Sequence, residues 1–405
     1  MNKLFNDYLN TFKGLSMEVW WLALITLVNR AGTMVIPFLS LYLIEDLKFS
    51  LSNVGTLMMC FGLGSVIGSW LGGKLTDTIG YYKVMVRSLL STGVLFIAVQ
   101  FLNRFYILCF GIFLVMLVAD MFRPAMFVAL SAYSKPENKT RSVTLIRLAI
   151  NLGFSAGPAV GGIIITTLGY GGLFWVDGIT CILATGVLFM VLNPKKAKVQ
   201  DNIIIKNPES AYKNNAFIIF LIAMFLFGVI FLQYFSTMPI YYREAHKLTE
   251  LDIGLLLGAN GFLIFLLEMP LIKWLEYRRF SKTTLMLFGV LLTALSFIIL
   301  NITAWSGILI IGMLLMTFGE MIAFPFSNAF ALDCAKKGNQ GEYMALYSIA
   351  FSMAHIFGHK AGMEMLDIWS FDKTWYVITI IGGFCLLLLL ILKKHLKIKK
   401  MDKLT

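Results

Sequence analysis

The sequence predicts an all-α integral membrane protein with twelve transmembrane helices arranged as two parallel six-helix repeats. Of its 405 residues, 59% are hydrophobic and only 14% are charged. A soluble protein of this length needs more polar residues than this to cover its surface. Apolar runs of about 20 residues, the length that a helix needs to cross the hydrocarbon core, recur along the whole chain. The segments between them are too short to fold as separate soluble domains.

Twelve apolar runs follow one another, and we number them spans 1 to 12. They cover residues 17–43, 51–71, 84–102, 106–132, 143–168, 173–192, 215–242, 253–274, 283–300, 305–332, 343–368 and 375–392. We interpret span 1 as a retained helix, because it is too long for the core of a signal peptide and no small-residue cleavage pattern follows it.

The distribution of Lys and Arg predicts the orientation. Of the 34 such residues, 25 lie in segments on the side of the N-terminus, 5 lie on the opposite side and 4 lie inside spans. The positive-inside rule therefore predicts both termini in the cytoplasm, with the chain in the plasma (inner) membrane. The net charge of +12 follows from this topology and from contact with the anionic lipid bilayer, and it needs no nucleic-acid partner.

An internal repeat relates the two halves of the chain at an offset of about 200 residues. The matching pairs are Pro37 with Pro239, Gly55 with Gly254, Pro124 with Pro325, Gly157 with Gly358 and Gly161 with Gly362. The repeat predicts an N-terminal bundle (1–192), a cytoplasmic linker (193–214) and a C-terminal bundle with a basic tail (215–405). Parallel repeats of this kind are typical of transporters that bind substrate near mid-membrane, where the halves meet.

The segment between spans 2 and 3 reads Gly-x-Leu-x-Asp-x-x-Gly and closes on a lysine. Its glycines allow a tight turn, and its aspartate can accept hydrogen bonds from a helix N-terminus, so a plain glycine-rich turn is one interpretation. The pattern also resembles the cytoplasmic loop between helices 2 and 3 of the major facilitator superfamily of transporters. That resemblance implies a conformational latch formed by Gly73, Asp77, Gly80 and Lys83. Three positions that are usually basic in the family hold Thr78, Tyr81 and Tyr82.

Span 5 carries small residues at four-residue spacing, which let helices approach closely. The residues are Gly153, Gly157, Pro158, Gly161 and Gly162. Tight helix packing alone accounts for such a pattern. It also resembles the antiporter motif of the drug:proton antiporter branch of the same superfamily, and this resemblance implies export rather than import.

Ionisable residues inside the spans are costly in lipid, so each is expected to face a cavity or a partner. Those in the N-terminal half are Arg30, Asp120, Arg123 and Arg147, and those in the C-terminal half are Glu268, Glu320, His355, His359 and Lys360. A buried carboxylate next to an arginine can switch between charged and neutral forms, which is what proton coupling requires. A role in substrate binding and proton coupling and a role as a buried ion network are both open, and they can coexist.

Two of these patterns are compared with known motifs. Arg123, followed by Pro124, resembles the functional arginine that the family carries in helix 4. The spacing His355-x-x-x-His359 is compatible with a metal, but no further ligand set accompanies it. We therefore expect a polar cavity wall or a proton-sensitive site there, with no metal and no cofactor other than H⁺ as the coupling ion.

The resemblance implies a proton-coupled exporter of small amphiphilic molecules that works by alternating access, and we expect it to be a monomer. The excess of Arg and Lys over acidic residues near the cavity of the N-terminal half indicates an anionic substrate. An importer that takes up a small anionic solute with protons is the main alternative. The proton–peptide symporters are disfavoured, because their Glu-x-x-Glu-Arg motif is absent before Arg30. A membrane-embedded enzyme is disfavoured, because no paired catalytic set has a recognised spacing. A receptor or lipid-handling protein on the same scaffold stays open.

Overall fold

The computed structural model describes residues 14–31, 34–134, 139–192, 210–278, 280–303, 305–334 and 340–401. Its description of side chains leaves out residues 77, 131, 139–141, 144, 276, 332, 340–342, 345 and 397–401. Within the described ranges the chain is almost entirely helical and contains no strand. Most of the predicted linker, up to residue 209, lies outside the described residues.

Twelve helices occupy the twelve predicted spans in these ranges, and two of them are broken. α1 consists of Met17–Ala31 and Val35–Leu41, followed by a π-helical turn at Tyr42–Asp46, and α4 consists of Phe105–Asp120 and Phe122–Tyr133. The unbroken helices are α2 (Leu51–Ile79), α3 (Tyr81–Val99), α5 (Lys139–Leu168), α6 (Tyr170–Val191), α7 (Asn215–Glu244), α8 (Glu250–Tyr277), α9 (Lys282–Ile298), α10 (Gly307–Cys334), α11 (Gln340–Ile368) and α12 (Phe371–Met401).

Eleven of these helices, within the described residues, are long and apolar enough to cross a membrane. The exception is α11, whose apolar turns are interrupted by His355, His359, Lys360 and Glu364, yet it is helical over the predicted span. The predicted all-α membrane fold is confirmed. Helix ends differ from the prediction where polar residues continue a helix beyond its apolar run, as in α2 and α12.

Single glycines make two of the tightest connections. Gly80 alone separates α2 from α3 and has φ = 88°, and Gly169 alone separates α5 from α6 and has φ = 72°. Glycine adopts positive φ without the steric penalty that a Cβ brings. The latch segment predicted as a loop is therefore mostly the end of α2, with a one-residue turn at Gly80.

The helices pack into two compact units. Unit 1 comprises Met1–Phe38, Cys60–Gln200 and Glu250–Phe265, and unit 2 comprises Leu39–Met59, Asp201–Thr249 and Leu266–Thr405. The core of unit 1 is mainly aliphatic and includes Leu22, Leu89 and Leu188, each no more than 1% exposed. The core of unit 2 is more aromatic, with the ring centroids of Phe217 and Tyr343 4.5 Å apart. The division into two six-helix bundles stays a prediction.

Glycines bring α2 and α4 of unit 1 into backbone contact. A Cβ on Gly64 would lie 2.4 Å from the carbonyl oxygen of Phe113, and a Cβ on Gly68 would lie 2.1 Å from that of Leu117. One turn further, a Cβ on Gly72 would lie 2.5 Å from Cα of Met121. The four-residue steps on both helices match, so the glycine stripe fixes α2 against α4 over three turns.

Candidate functional site

The break in α4 places Asp120 at the end of one helix segment. Pro124 has no backbone N–H, so the carbonyl group of Asp120 loses the donor that a continuous helix would give it. The first segment of α4 accordingly ends at Asp120, and the second begins at Phe122. Interrupted helices inside membranes are tolerated where protein or water satisfies the freed backbone groups, and such places often bind ions or substrates.

Asp120 lies at the centre of the charged residues predicted for the N-terminal half. The hydroxyl of Ser65 on α2 donates a hydrogen bond to Asp120 Oδ2. Arg30 on α1 lies within electrostatic range of both Asp120 and Arg123. The structure therefore brings three of the four predicted residues together and adds Ser65, whose position beside the glycine stripe of α2 was the available sequence signal.

The two arginines of this cluster have different surroundings. The guanidinium carbon of Arg30 lies 5.5 Å from the ring centroid of Phe154 on α5, a cation–π distance. The side chain of Arg123 is exposed, and within the described residues it makes no hydrogen bond or ion pair. Arg147 lies half-buried on α5.

The small residues of the α5 motif face two different helices. Gly153, Gly157 and Gly161 face α1: a Cβ on Gly153 would lie 2.5 Å from Arg30 Cβ, and one on Gly161 would lie 3.1 Å from the ring of Phe38. A small residue at each of these three positions is therefore what allows α1 to approach α5.

The second face of the motif packs against the first half of α8, within unit 1. A Cβ on Gly254 would lie 2.4 Å from the carbonyl oxygen of Pro158, and one on Gly162 would lie 2.7 Å from that of Glu250. The hydroxyl of Ser155 donates to the carbonyl oxygen of Gly258 over 2.8 Å. The motif thus holds α5 between α1 and α8.

Asp177 on α6 caps the second segment of α1. Its side chain is 0% exposed, and its two carboxylate oxygens accept hydrogen bonds from the backbone N–H groups of Met34 and Val35, each at 3.0 Å. Asp177 is not among the candidate site residues that the sequence predicts. The available signal was Pro37, which marks an interruption of span 1 that needs a partner.

The predicted carboxylates of the C-terminal half are both buried. Glu268 on α8 is 8% exposed and Glu320 on α10 is 9% exposed. Glu320 lies within electrostatic range of the phenol of Tyr234 on α7, a residue that is 1% exposed. Both carboxylates therefore lie among protein groups rather than at an exposed surface.

The two histidines of α11 are neighbours, with ring centroids 5.5 Å apart. His359 is 2% exposed, and His355 is half-buried. Among the described residues, no group of three His, Cys, Asp or Glu side chains is arranged to hold a metal ion. The pair therefore forms a polar stripe inside α11.

Lys360 bonds α11 to the start of α2, within unit 2. Its ammonium group donates to the carbonyl oxygen of Ser52 (2.9 Å), to the hydroxyl of Ser52 (3.0 Å) and to the hydroxyl of Thr56 (2.8 Å). It also pairs with Glu364 over 2.6 Å. Gly55 makes room for the stem of Lys360, because a Cβ there would lie 3.1 Å from Lys360 Cδ. This geometry is that of a helix–helix clasp.

The predicted latch residues lie at the junction of α2 and α3. Gly80 provides the turn, while Gly73 has open space where a Cβ would be, and the side chain of Lys83 is exposed. The side chain of Asp77 lies outside the described residues.

Comparison with known proteins places this geometry in a family. The family model described as Major Facilitator Superfamily matches residues 22–359 and 279–401. A Na(+), Li(+), K(+)/H(+) antiporter of Planococcus maritimus is 22% identical, over 89% of this chain and 91% of that protein. The quinolone resistance protein NorA of Staphylococcus aureus is 25% identical, over 83% of this chain and 86% of that protein.

Solved structures show the same fold. A POT family transporter in complex with 5-aminolevulinic acid superposes with a TM-score of 0.78 at 15% identity, over 94% of this chain and 96% of that one. The nucleoside transporter NupG superposes with a TM-score of 0.77 at 12% identity, over 93% and 99%. The sequence resemblance stated above is confirmed. The chain belongs to the major facilitator superfamily of membrane transporters.

Proposed function

We propose that this transporter is a proton-coupled exporter of small amphiphilic or anionic molecules that works by alternating access. In this proposal it is a monomer in the plasma (inner) membrane with both termini in the cytoplasm, it carries out no enzymatic reaction, and it needs no cofactor other than H⁺ as the coupling ion. The observation that carries the proposal is the position of Asp120, at the break of α4, with Ser65 donating to its carboxylate and Arg30 within electrostatic range.

This cluster has the chemistry that coupling needs. Protonation of Asp120 removes the negative charge that Arg30 experiences, so one proton changes the charge balance of the whole cluster. The affinity for a charged substrate therefore depends on whether Asp120 carries a proton. Coupling requires only that proton binding and substrate binding change each other's affinity. The exposed guanidinium of Arg123 is suited to binding an anionic group of the substrate.

The relatives support exchange and efflux as the mode of transport. One is named as a cation/proton antiporter and another as a quinolone resistance protein. The α5 motif, which resembles that of drug:proton antiporters, packs between α1 and α8. A movement of α5 would therefore displace both α1 and α8. Alternating access requires such coupled movement of packed helices.

Uptake of a small anionic solute together with protons is the second candidate. It is favoured by the positive charge of the cluster, where Arg30 lies within electrostatic range of both Asp120 and Arg123. A symporter and an antiporter differ in the direction of the proton flow that accompanies the same substrate movement.

Proteoliposomes that contain an internal pH-sensitive dye test the proposal. A panel of anionic, cationic and amphiphilic compounds, together with Na⁺, Li⁺ and K⁺, is added to one side, and the pH change on substrate addition is recorded. Proton movement opposite to an organic substrate supports the exporter, and movement in the same direction supports the symporter. A response to the inorganic cations alone replaces both with cation/proton exchange.

Asp120→Asn, compared with Asp372→Asn, tests the carboxylate itself. Asp372 lies exposed in the first turn of α12, so the control also removes one carboxylate. We expect substrate-dependent proton movement to be lost in Asp120→Asn and retained in Asp372→Asn. Unchanged proton movement in Asp120→Asn excludes this carboxylate from coupling.

A further inference from the structure

Among the described side chains, Asp177 is the most deeply buried carboxylate that the proposed function leaves unused. Its side chain is 0% exposed on α6, inside the membrane-spanning part of the chain. Both of its oxygens are occupied by backbone N–H groups of one short helix segment, those of Met34 and Val35. A charged group inside the membrane costs free energy, so such residues are rare and are usually functional.

The hydrogen bonds explain how α1 can be interrupted. The first N–H groups of a helix have no partner within the helix, and the segment Val35–Leu41 begins inside the protein. Pro37 removes one of these donors, and Asp177 satisfies two others. The negative carboxylate also lies at the positive end of the segment dipole. The position of the segment therefore depends on the charge state of one side chain on another helix.

The groups around Asp177 leave the backbone as its main partner. On α6, Cys181 lies one turn further, and Asn29 of α1 donates to its sulfur over 3.7 Å. Arg30 of α1 lies within electrostatic range of Cys181. α3 packs against this part of α6 through Gly93, and α5 packs against Met34 through Gly161.

We propose that Asp177 is a proton-linked positioning residue: its carboxylate fixes the second segment of α1, and its protonated form releases it. The step is the addition of one proton to the carboxylate, which removes its charge and converts one oxygen from an acceptor into an O–H donor. The protonated carboxyl keeps one carbonyl oxygen as an acceptor, whereas its O–H group faces an N–H donor, so it caps the two N–H groups less well than the carboxylate does. The inference rests on the proposed proton coupling, to which it adds a second protonation site that acts on α1.

Cysteine labelling tests the release without any substrate. Ser40 lies on the same segment and is 0% exposed, so Ser40→Cys, in a chain whose five native cysteines are replaced by serine, reports on its burial. N-ethylmaleimide reacts with the thiolate, whose fraction falls in acid, so the relative labelling rate is the rate of the folded chain divided by that of the same chain unfolded in SDS at the same pH. We expect this relative labelling rate to be several-fold higher in acidic than in alkaline buffer, high at both pH values in Asp177→Asn, and again pH-dependent in Asp177→Glu. Slow labelling at every pH, or an unchanged pH dependence in Asp177→Asn, overturns the inference.

Val35→Pro provides a test that does not change the titratable group. It removes one of the two N–H donors at the first position of the segment, where proline is well tolerated. We expect faster labelling at alkaline pH and a smaller acid effect, and labelling identical to the parent chain contradicts the proposal. Because no substrate is present, this result is separate from that of Asp120→Asn. If Asp120→Asn loses proton coupling but Asp177→Asn and Val35→Pro label like the parent chain, only the Asp177 inference is refuted. If the labelling changes as expected but Asp120→Asn keeps proton coupling, only the coupling role of Asp120 is refuted.

Discussion

Lys360 and Glu364 form a 2.6 Å ion pair one turn apart on α11, and Ser52 on α2 is bonded to both of them: its hydroxyl accepts from the ammonium and donates to the carboxylate. The ammonium also contacts the carbonyl oxygen of Ser52 and the hydroxyl of Thr56, so its three N–H groups are shared among four acceptors. The Lys360–Glu364 ion pair therefore also connects α11 to α2.

The first prediction concerns this clasp. Lys360→Met keeps the length of the stem that packs on Gly55 but removes the ammonium, so α2 loses three hydrogen bonds. We expect the melting temperature in detergent to fall by several degrees. Lys373→Met, at an exposed position in the first turn of α12, is the matched control and should leave it unchanged. Equal melting temperatures for the two variants would show that the clasp contributes little to stability.

Local features of this fold could be predicted from the sequence, whereas contacts between residues far apart in the chain could not. The length of a helix that crosses a bilayer is a local property, so all twelve helices were predicted. The partners of the charged residues are not local. Lys360 bonds residues more than 300 positions away, and Asp177 caps a segment more than 140 positions away. The sequence indicated that each charge needs a partner but not which one.

The second prediction ranks two glycines of the α5 motif. A Cβ on Gly153 would lie 2.5 Å from Arg30 Cβ and 2.9 Å from the Ala31 nitrogen, whereas the nearest atom to one on Gly157 would be 3.2 Å away. Gly153→Ala should therefore cost about 1–3 kcal/mol of stability through overpacking, and Gly157→Ala should cost less. Thermal unfolding in detergent measures the order.

The control for this ranking is Gly186→Ala on α6, where a Cβ would meet open space. Alanine forms helices better than glycine by up to about 1 kcal/mol, so this variant should be neutral or stabilised. A larger loss in Gly157→Ala than in Gly153→Ala would contradict the described approach of α1 to α5.

The third prediction separates two glycines of the latch. Gly80 has φ = 88° and ψ = 147°, a region occupied almost only by glycine, so Gly80→Ala should cost about 1–3 kcal/mol. Gly73 is helical with open space around it, so Gly73→Ala should not reduce stability. If both variants unfold at the temperature of the parent chain, the one-residue turn between α2 and α3 is not strained.

The fourth prediction concerns Arg123. Its guanidinium is exposed and has no partner within the described residues, so Arg123→Ala should leave stability almost unchanged. It should weaken, by about tenfold or more, the binding of any anionic compound that the proteoliposome panel identifies, because one charge-assisted hydrogen bond contributes roughly 1.5–3 kcal/mol. Arg104→Ala, at the exposed start of α4, is the control. Parent-like affinity in Arg123→Ala would assign this arginine to the ion cluster alone.

The fifth prediction concerns the register of α2 against α4. Cys60 and Cys109 lie one turn before Gly64 and Phe113, which are in contact, and their side chains are neighbours. Two cysteines on helices this close can meet the geometry of a disulfide. Oxidation by copper phenanthroline and oxygen should remove two protons and two electrons from the pair.

Intact mass after denaturation and maleimide labelling measures this reaction. We expect the oxidised parent chain to carry two maleimide groups fewer than the reduced chain. Cys60→Ser should abolish that difference, and Cys334→Ser should preserve it while lowering both totals by one, because Cys334 lies on α10 in the other unit. If the oxidised and reduced parent chains bind the same number of maleimide groups, α2 and α4 do not pack in the register that the glycine stripe indicates.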